Sequence, residues 1–222
     1  MLANTLYGLI VTMMWPLFFI RLWLRSSSIP AYRQRWLERC GFICSQNPGG
    51  IYLHAVSVGE VIAAEPLIKK LRCDYPERPL ILTTTTPTGS ERAKNLFGDD
   101  VYHCYAPFDW LPFVYQFFIR IKPALCIVME TELWPSMIFM CRRQAIPVVI
   151  ANARLSDKSK QGYQRINWLV SAMLSDVYIA AQYPADADNF LALGAQTKRL
   201  QVTGSIKFDI KICQSLNVQA GC

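Results

Sequence analysis

The sequence lacks the residue patterns that announce metal or nucleotide chemistry. It has two histidines, His54 and His103, and neither has a partner at metal-ligand spacing. Cys40 and Cys44 form a lone pair, with no second pair or nearby histidine to complete a site. No metal is therefore expected among the eight cysteines. Cys126 and Cys141 lie in apolar runs, where thiols act as small buried hydrophobes, and the set is expected to be reduced and cytosolic. Neither the Walker pattern nor the dinucleotide glycine fingerprint occurs, so no motif implies a nucleotide site. Internal repeats and low-complexity linkers are also missing. Charged residues are scarce at 18%, while 52% are hydrophobic, which is more apolar than a plain cytosolic fold. Disorder is excluded by 11 Phe, 10 Tyr and 6 Trp, ample material for a core.

The sharpest local absence is at the start, where residues 2–20 contain no charge. As a helix this run would be ~28 Å long, close to the ~30 Å hydrocarbon core of a bilayer. Pro16 would kink it, so it either spans or lies partly inserted, and Trp15 and Trp23 suit an interfacial belt. No Lys or Arg precedes the run and no small-residue cleavage site follows it, unlike a secretory signal. Arg21, Arg25, Arg33, Arg35 and Arg39 come after it, opposed by Glu38 alone. A buried core helix is the competing explanation, but this arginine cluster favours an anchor with the rest of the chain on the cytoplasmic side. Residues 1–25 are thus expected to form a membrane anchor and residues 26–50 a basic juxtamembrane segment. Arg21, Arg25, Arg33 and Arg35 are candidates to hold lipid headgroups or lipid phosphates. The net charge of +7 agrees with a polyanionic neighbour.

Beyond Gly49-Gly50 the pattern alternates. Strands are expected over residues 51–56, 80–85, 101–105, 124–129, 147–151, 177–181 and 200–203. Helices are expected over 60–72, 89–97, 110–121, 135–144, 162–174 and 185–193. This cadence predicts an α/β domain over residues 51–210, a Rossmann-like parallel sheet with right-handed crossovers. Ligands of such sheets bind beyond the C-terminal ends of the strands.

Three of those strand ends carry chemistry. Ser57, Gly59 and Glu60 turn the first strand into a helix, with Gly59 expected to permit a sharp turn. Glu60 in the first helical turn suits a base or positioning group, and equally a plain helix N-terminus. Next, Thr83 to Thr86 lead into Pro87, Thr88, Gly89 and Arg92, either an anion cradle or ordinary capping. Third, Glu130 and Glu132 follow the most apolar strand, where carboxylates are costly unless they face a polar cleft. Trp134 beside them suits a sugar face or the packing of the next helix. Asn152 and Arg154 end the following strand, and residues 203–209 form a last polar loop. His54 and His103 are expected to be satisfied structural histidines.

In order and spacing these segments resemble the Kdo (3-deoxy-D-manno-octulosonic acid) transferases of lipopolysaccharide biosynthesis. The resemblance is carried by the apolar start with its Arg-Leu-Trp, Ser57 to Glu60, Thr86 to Arg92, Met129 to Pro135, Ala151 to Ser156 and Thr203 to Asp209. It implies a glycosyltransferase-B fold of two Rossmann-like domains on the cytoplasmic face of the inner membrane. The N-terminal domain would handle the lipid A precursor (lipid IVA), and the C-terminal domain the donor CMP-Kdo. Glu60 would be the general base of an inverting transfer, with Glu130 and Glu132 shaping the cleft and Arg92 near the reacting groups. Ser57, Gly59, Thr88, Gly89, Asn152 and Arg154 would complete its lining. No cofactor, metal or nucleic acid is implied. Residues 211–222 fall where a linker to the donor domain is expected, so this acceptor half is expected to be inactive alone. Two further possibilities stay open. One is another membrane-associated glycosyltransferase-B half, such as the peptidoglycan N-acetylglucosaminyltransferase type, whose glycine-rich first loop is absent here. The other is a membrane-anchored protein that binds lipid A precursor without transfer.

Overall fold

The computed structural model describes Tyr7, Gly8, Thr12, Met13 and residues 34–206. Arg21, Arg25 and Arg33, the expected anchor apart from those four residues, and the expected linker all lie outside the described residues. Among the described residues no helix is long and apolar enough to cross a membrane.

Seven parallel strands form one sheet: β1 (Ile51–His54), β2 (Leu80–Thr84), β3 (Tyr102–Tyr105), β4 (Leu125–Met129), β5 (Val148–Ala153), β6 (Tyr178–Ala181) and β7 (Leu200–Val202). Their spatial order is β3-β2-β1-β4-β5-β6-β7. The order reverses between β1 and β4, which pair through Ile51–Leu125 and His54–Val128. Adjacent connections leave the sheet in opposite directions there, and a crevice opens at the strand ends. The central strands β1 and β2 are buried at every position, as parallel strands covered on both faces must be.

The helices are α1 (Trp36–Arg39), α2 (Val58–Asp74), α3 (Pro87–Phe97), α4 (Leu111–Ile121), α5 (Pro135–Arg143), α6 (Asp157–Gln164), α7 (Asn167–Leu174) and α8 (Pro184–Ala192). Pro87, Pro135 and Pro184 each open a helix, where the missing N–H is harmless and the fixed φ is already helical. On one sheet face Tyr52, Ile81, Cys126, Val128 and Ile150 pack with Phe117, Phe118, Met137, Ile138 and Val170. On the other, Leu53, Leu82, Ile127 and Met129 pack with Val61, Ala64, Ile68 and Phe97. The six cysteines recorded among the described residues are free thiols, with Cys104, Cys126 and Cys141 buried in this core.

Two departures from the expected elements have physical causes. The single helix expected over residues 162–174 is two helices. α6 starts earlier because the Ser156 hydroxyl caps it, accepting from the Ser159 N–H at 3.2 Å. α6 buries no residue, whereas α7 buries Leu169, Val170, Met173 and Leu174, so the two follow different surfaces and break between them. The second departure concerns the basic segment. Arg35 and Glu38 form an ion pair at 2.6 Å, Glu38 accepts from the Tyr105 N–H, and Arg39 is buried over the Tyr105 ring at 4.0 Å. Arg35 also donates to Ser90 and to the His103 carbonyl. This stretch is therefore built into the domain at the ends of β2 and β3. Gly41 completes the joint: at φ +82° it lies so close to α4 that a Cβ would stand 2.2 Å from the Phe113 carbonyl oxygen.

Candidate functional site

β1 delivers its chain to the crevice through Ala55 and Val56, and Ser57 caps α2. The Ser57 hydroxyl accepts from the Glu60 N–H at 3.3 Å and donates to Glu60 Oε1 at 2.9 Å. Glu60 Oε2 accepts from the Val56 N–H at 2.9 Å. The carboxylate is thus folded back over the helix N-terminus in a variant of the capping box. It is buried, at 6% exposure, and burial pushes its pKa up to about 7 against the pull of the Val56 and Ser57 hydrogen bonds. Glu132 and Glu130 push it further in the same direction. A carboxyl group tuned to neutrality can both take and return a proton near pH 7.

Gly59 does not make the expected sharp turn. It occupies the second position of α2, and a Cβ there would meet only Ser57 Oγ, at 3.9 Å. No neighbouring side chain requires the glycine. What its missing Cβ leaves is open space in the first turn of α2.

The second wall comes from the loop between β4 and α5. Glu130 holds φ +56° and its N–H donates to the Ala151 carbonyl, so the chain bends away from the sheet immediately after β4. Such a conformation is uncommon for a residue with a Cβ and concentrates at functional turns. Thr131 donates to the Arg154 carbonyl, tying this loop to the end of β5. Glu132 accepts from Trp134 Nε1 at 2.8 Å, and the Trp134 and buried His54 rings meet edge to face with centroids 4.7 Å apart. Tyr163 on α6 closes that side; burial first, and Glu132 second, raise its pKa.

The third wall is the end of β5. Asn152, at φ +54°, accounts for the register shift between β5 and β6. Its side-chain oxygen accepts from the Ile206 N–H, and its buried Nδ2 has no partner among the described residues. Arg154 is exposed beyond it. The loop after β5 is pinned from α8: Asp186 accepts from the Leu155 N–H at 2.8 Å, and Asn189 donates to the Leu155 carbonyl at 2.8 Å.

The threonine cluster serves the protein interior. Thr83 pairs with His54 Nδ1 at 2.9 Å, Thr84 with His103 Nε2 at 3.1 Å, Thr85 donates to the Val56 carbonyl, and Thr86 caps α3 through the Gly89 N–H. Gly89 is needed there, since a Cβ would lie 2.9 Å from the capping hydroxyl. Of the expected anion cradle this leaves Thr88 exposed and Arg92 half-buried, its Nε without a partner among the described residues. No hydrogen bond among the described residues links Arg92 to Glu60. Both histidines are held neutral by burial, each with a pKa of about 3, yet each leaves one ring nitrogen without a hydrogen-bond partner. No group of three or more His, Cys, Asp or Glu among the described residues could hold a metal ion.

Ser57, Glu60, Glu130, Glu132, Asn152 and Arg154 therefore sit on three consecutive strand ends around the β1–β4 crevice. The site also contains groups that sequence reasoning passed over. Tyr163 belongs to a helix whose start was misjudged, and Asp186 carried no signal beyond its place in a first helical turn. Asp109, after β3, caps α5 from outside, accepting from the Ser136 and Met137 N–H groups at 3.1 and 3.0 Å.

Residues 34–210 match the family described as 3-deoxy-D-manno-octulosonic-acid transferase (kdotransferase). A 3-deoxy-D-manno-octulosonic acid transferase of Haemophilus influenzae is 47% identical over 88% of this chain and 47% of its own length. The corresponding protein of Bordetella pertussis is 32% identical, over 73% of this chain and 38% of its own. The chain thus spans less than half the length of these curated relatives. Among solved structures, the UDP-GlcNAc 2-epimerase of Neisseria meningitidis superposes with a TM-score of 0.56 at 15% identity, covering 78% of this chain and 51% of its own. That likeness establishes the shared α/β fold. With the family match running from α1 past the end of β7, the chain belongs to the 3-deoxy-D-manno-octulosonic-acid (Kdo) transferase family.

Proposed function

We propose that this chain is the acceptor-binding half of a glycosyltransferase-B enzyme that transfers Kdo from CMP-Kdo to a lipid A precursor, with Glu60 as the general base. The observation that carries this is the Glu60 carboxyl: buried in the first turn of α2 beyond β1, tuned to about 7, and next to a Gly59 whose missing side chain leaves space at the helix N-terminus. In the reaction, Glu60 takes the proton of an acceptor hydroxyl as that oxygen bonds to the anomeric carbon of Kdo. The bond from that carbon to the CMP phosphate breaks on the opposite face, CMP departs, and the configuration inverts. Burial, with Glu132 and Glu130 adding to it, keeps the proton affinity of Glu60 high enough to accept this proton at neutral pH, and the Glu130 and Glu132 oxygens supply acceptors for sugar hydroxyls. Ser57, Thr88, Arg92, Asn152 and Arg154 line the acceptor side, with Gly89 buried behind them at the Thr86 cap. The donor is held mainly by a second domain of the longer proteins in this family, which spans the length this chain does not cover. The 222-residue chain by itself binds the acceptor without transferring.

In the intact two-domain enzyme Glu60→Gln should lower transfer by ~10²-fold or more while the thermal transition is kept or raised. Transfer within a few-fold of wild type, from a protein that is folded, would remove Glu60 from the mechanism.

The same proposal places the protein on the cytoplasmic face of the inner membrane. Its uncharged residues 2–20 provide the anchor, and Arg21, Arg25 and Arg33 lie next to the lipid phosphates, while Arg35 is taken up by Glu38, Ser90 and the His103 carbonyl inside the domain. Deleting residues 1–25 should release the protein from membranes in high salt, which screens whatever electrostatic attachment is left. Complete sedimentation of the shortened protein with membranes at high salt would rule the anchor out.

A further inference from the structure

His54 is the last residue of β1, fully buried, and nothing in the proposed transfer uses it. Its Nδ1 lies 2.9 Å from Thr83 Oγ1, which in turn lies 3.0 Å from the buried Tyr52 hydroxyl. If Tyr52 donates to Thr83 and Thr83 donates to His54 Nδ1, each hydroxyl proton is used once. The single proton of the neutral imidazole is then on Nε2. That nitrogen is buried and has no oxygen or nitrogen partner among the described residues. Its ring faces the Trp134 indole, with centroids 4.7 Å apart and planes at 72°. Two aromatic rings meeting edge to face make a directional contact of the kind such pairs prefer. The indole passes the constraint on: Trp134 Nε1 donates to Glu132 Oε2 at 2.8 Å.

We propose that His54 and Trp134 are positioning residues of the cleft: the buried imidazole, oriented by Thr83, seats the Trp134 indole, whose N–H fixes the Glu132 carboxylate opposite Glu60. Neither residue touches substrate. They act through where Glu132 keeps its charge. The charged groups acting on Glu60 are Glu132 and Glu130, both from the loop between β4 and α5, while Ser57 and the Val56 N–H oppose them from its own side. Glu132 is faced by Tyr163 from α6. Without the indole N–H, the Glu132 side chain is free to turn towards solvent, and Glu60 becomes easier to ionise. This deepens the reading of Glu60 as the base and rests on it for its catalytic meaning, although the structural relay stands independently.

The relay is tested on the 222-residue chain by carbon-13 NMR titration of the side-chain carboxyls, with the Glu60 signal assigned by its loss in Glu60→Gln. Trp134→Phe keeps an aromatic ring against His54 and removes the N–H. It should lower the Glu60 midpoint by about 0.5 pH unit, in the direction of Glu132→Gln. Thr83→Val, nearly isosteric in the core, should shift it the same way by less. Nitrogen-15 spectra of His54 should show the Nε2–H tautomer, unchanged from pH 5 to 8. A Glu60 midpoint that Glu132→Gln moves and Trp134→Phe leaves in place overturns the relay, as does an Nδ1–H tautomer. A wild-type midpoint near 4.5 instead speaks against Glu60 as a base tuned to neutral pH, so the two failures are separable. A merely structural indole predicts lower thermal stability in Trp134→Phe with no movement of the Glu60 midpoint.

Discussion

Glu60 at the start of α2 and Asp109 at the start of α5 are both carboxylates facing helix N-termini near the same edge of the sheet, and burial lifts both, to about 7 and about 6. Their surroundings then diverge. Asp109 receives three donors, from Ser136, Met137 and the Tyr7 hydroxyl, which together hold its charge. Its own carbonyl accepts from the Ser136 hydroxyl, closing the joint between β3's exit and α5. Glu60 receives two donors and faces two further carboxylates, Glu130 and Glu132. A carboxylate surrounded by donors is a fastener. One with fewer donors and like charges beside it is poised to gain a proton.

The contrast is most easily broken at Asp109. Asp109→Asn presents an amide donor to donors already in place, and should destabilise the fold by about 3 kcal/mol in urea unfolding at pH 7. A loss below about 1 kcal/mol would mean that α5 does not depend on this cap.

Glu60→Gln should do the reverse where the charge is costly. The folded pKa of Glu60 lies above the ordinary 4.5, so the native state holds its proton more tightly than the unfolded chain does. The stability this proton linkage provides is fully present below about pH 4.5 and is lost as pH rises through about 7. Removing the charge should therefore stabilise the domain by about 2 kcal/mol at pH 8, and by little at pH 4. Parallel stability–pH curves for the two proteins would show that Glu60 is not desolvated as described.

Gly59→Ala sharpens the same comparison with the smallest effect on stability. Since a Cβ there meets nothing closer than 3.9 Å, the fold should change by no more than about 0.5 kcal/mol. In the intact enzyme, acceptor transfer should nonetheless fall, because the added methyl occupies the open space in the first turn of α2. Unchanged transfer would show that the acceptor does not approach from the Gly59 side.

Much of the fold was legible because it is written in local patterns. The alternation of short apolar runs with helical stretches located all seven strands, and the rule for parallel sheets directed attention to Glu60, Glu130, Glu132 and Asn152. Errors fell where local pattern and tertiary contact disagree. Asp157 to Gln164 is too polar to read as a helix by periodicity, yet Ser156 caps it and the contact of Lys160 with Asn189 ties it to α8. Gly59 looked like a turn residue because glycine often is one, while its backbone is ordinary helix. The four threonines read equally as a ligand cradle or as capping, and tertiary contact assigns three of them to His54, His103 and the Val56 carbonyl.

The sequence by itself determined the order of the elements and the residue types at each strand end, because turn chemistry, capping and hydrophobic period depend on near neighbours. The tertiary structure alone decided that β1 lies beside β4, which brings Glu60 to face a loop seventy residues further along the chain. It also decided the proton affinity of Glu60, since desolvation and the charges of Glu130 and Glu132 depend on what surrounds the carboxyl in space. The same holds for Asp109, whose role exists only because α5 begins where β3's exit passes. Strand pairing and burial are non-local, and no period in the sequence records them.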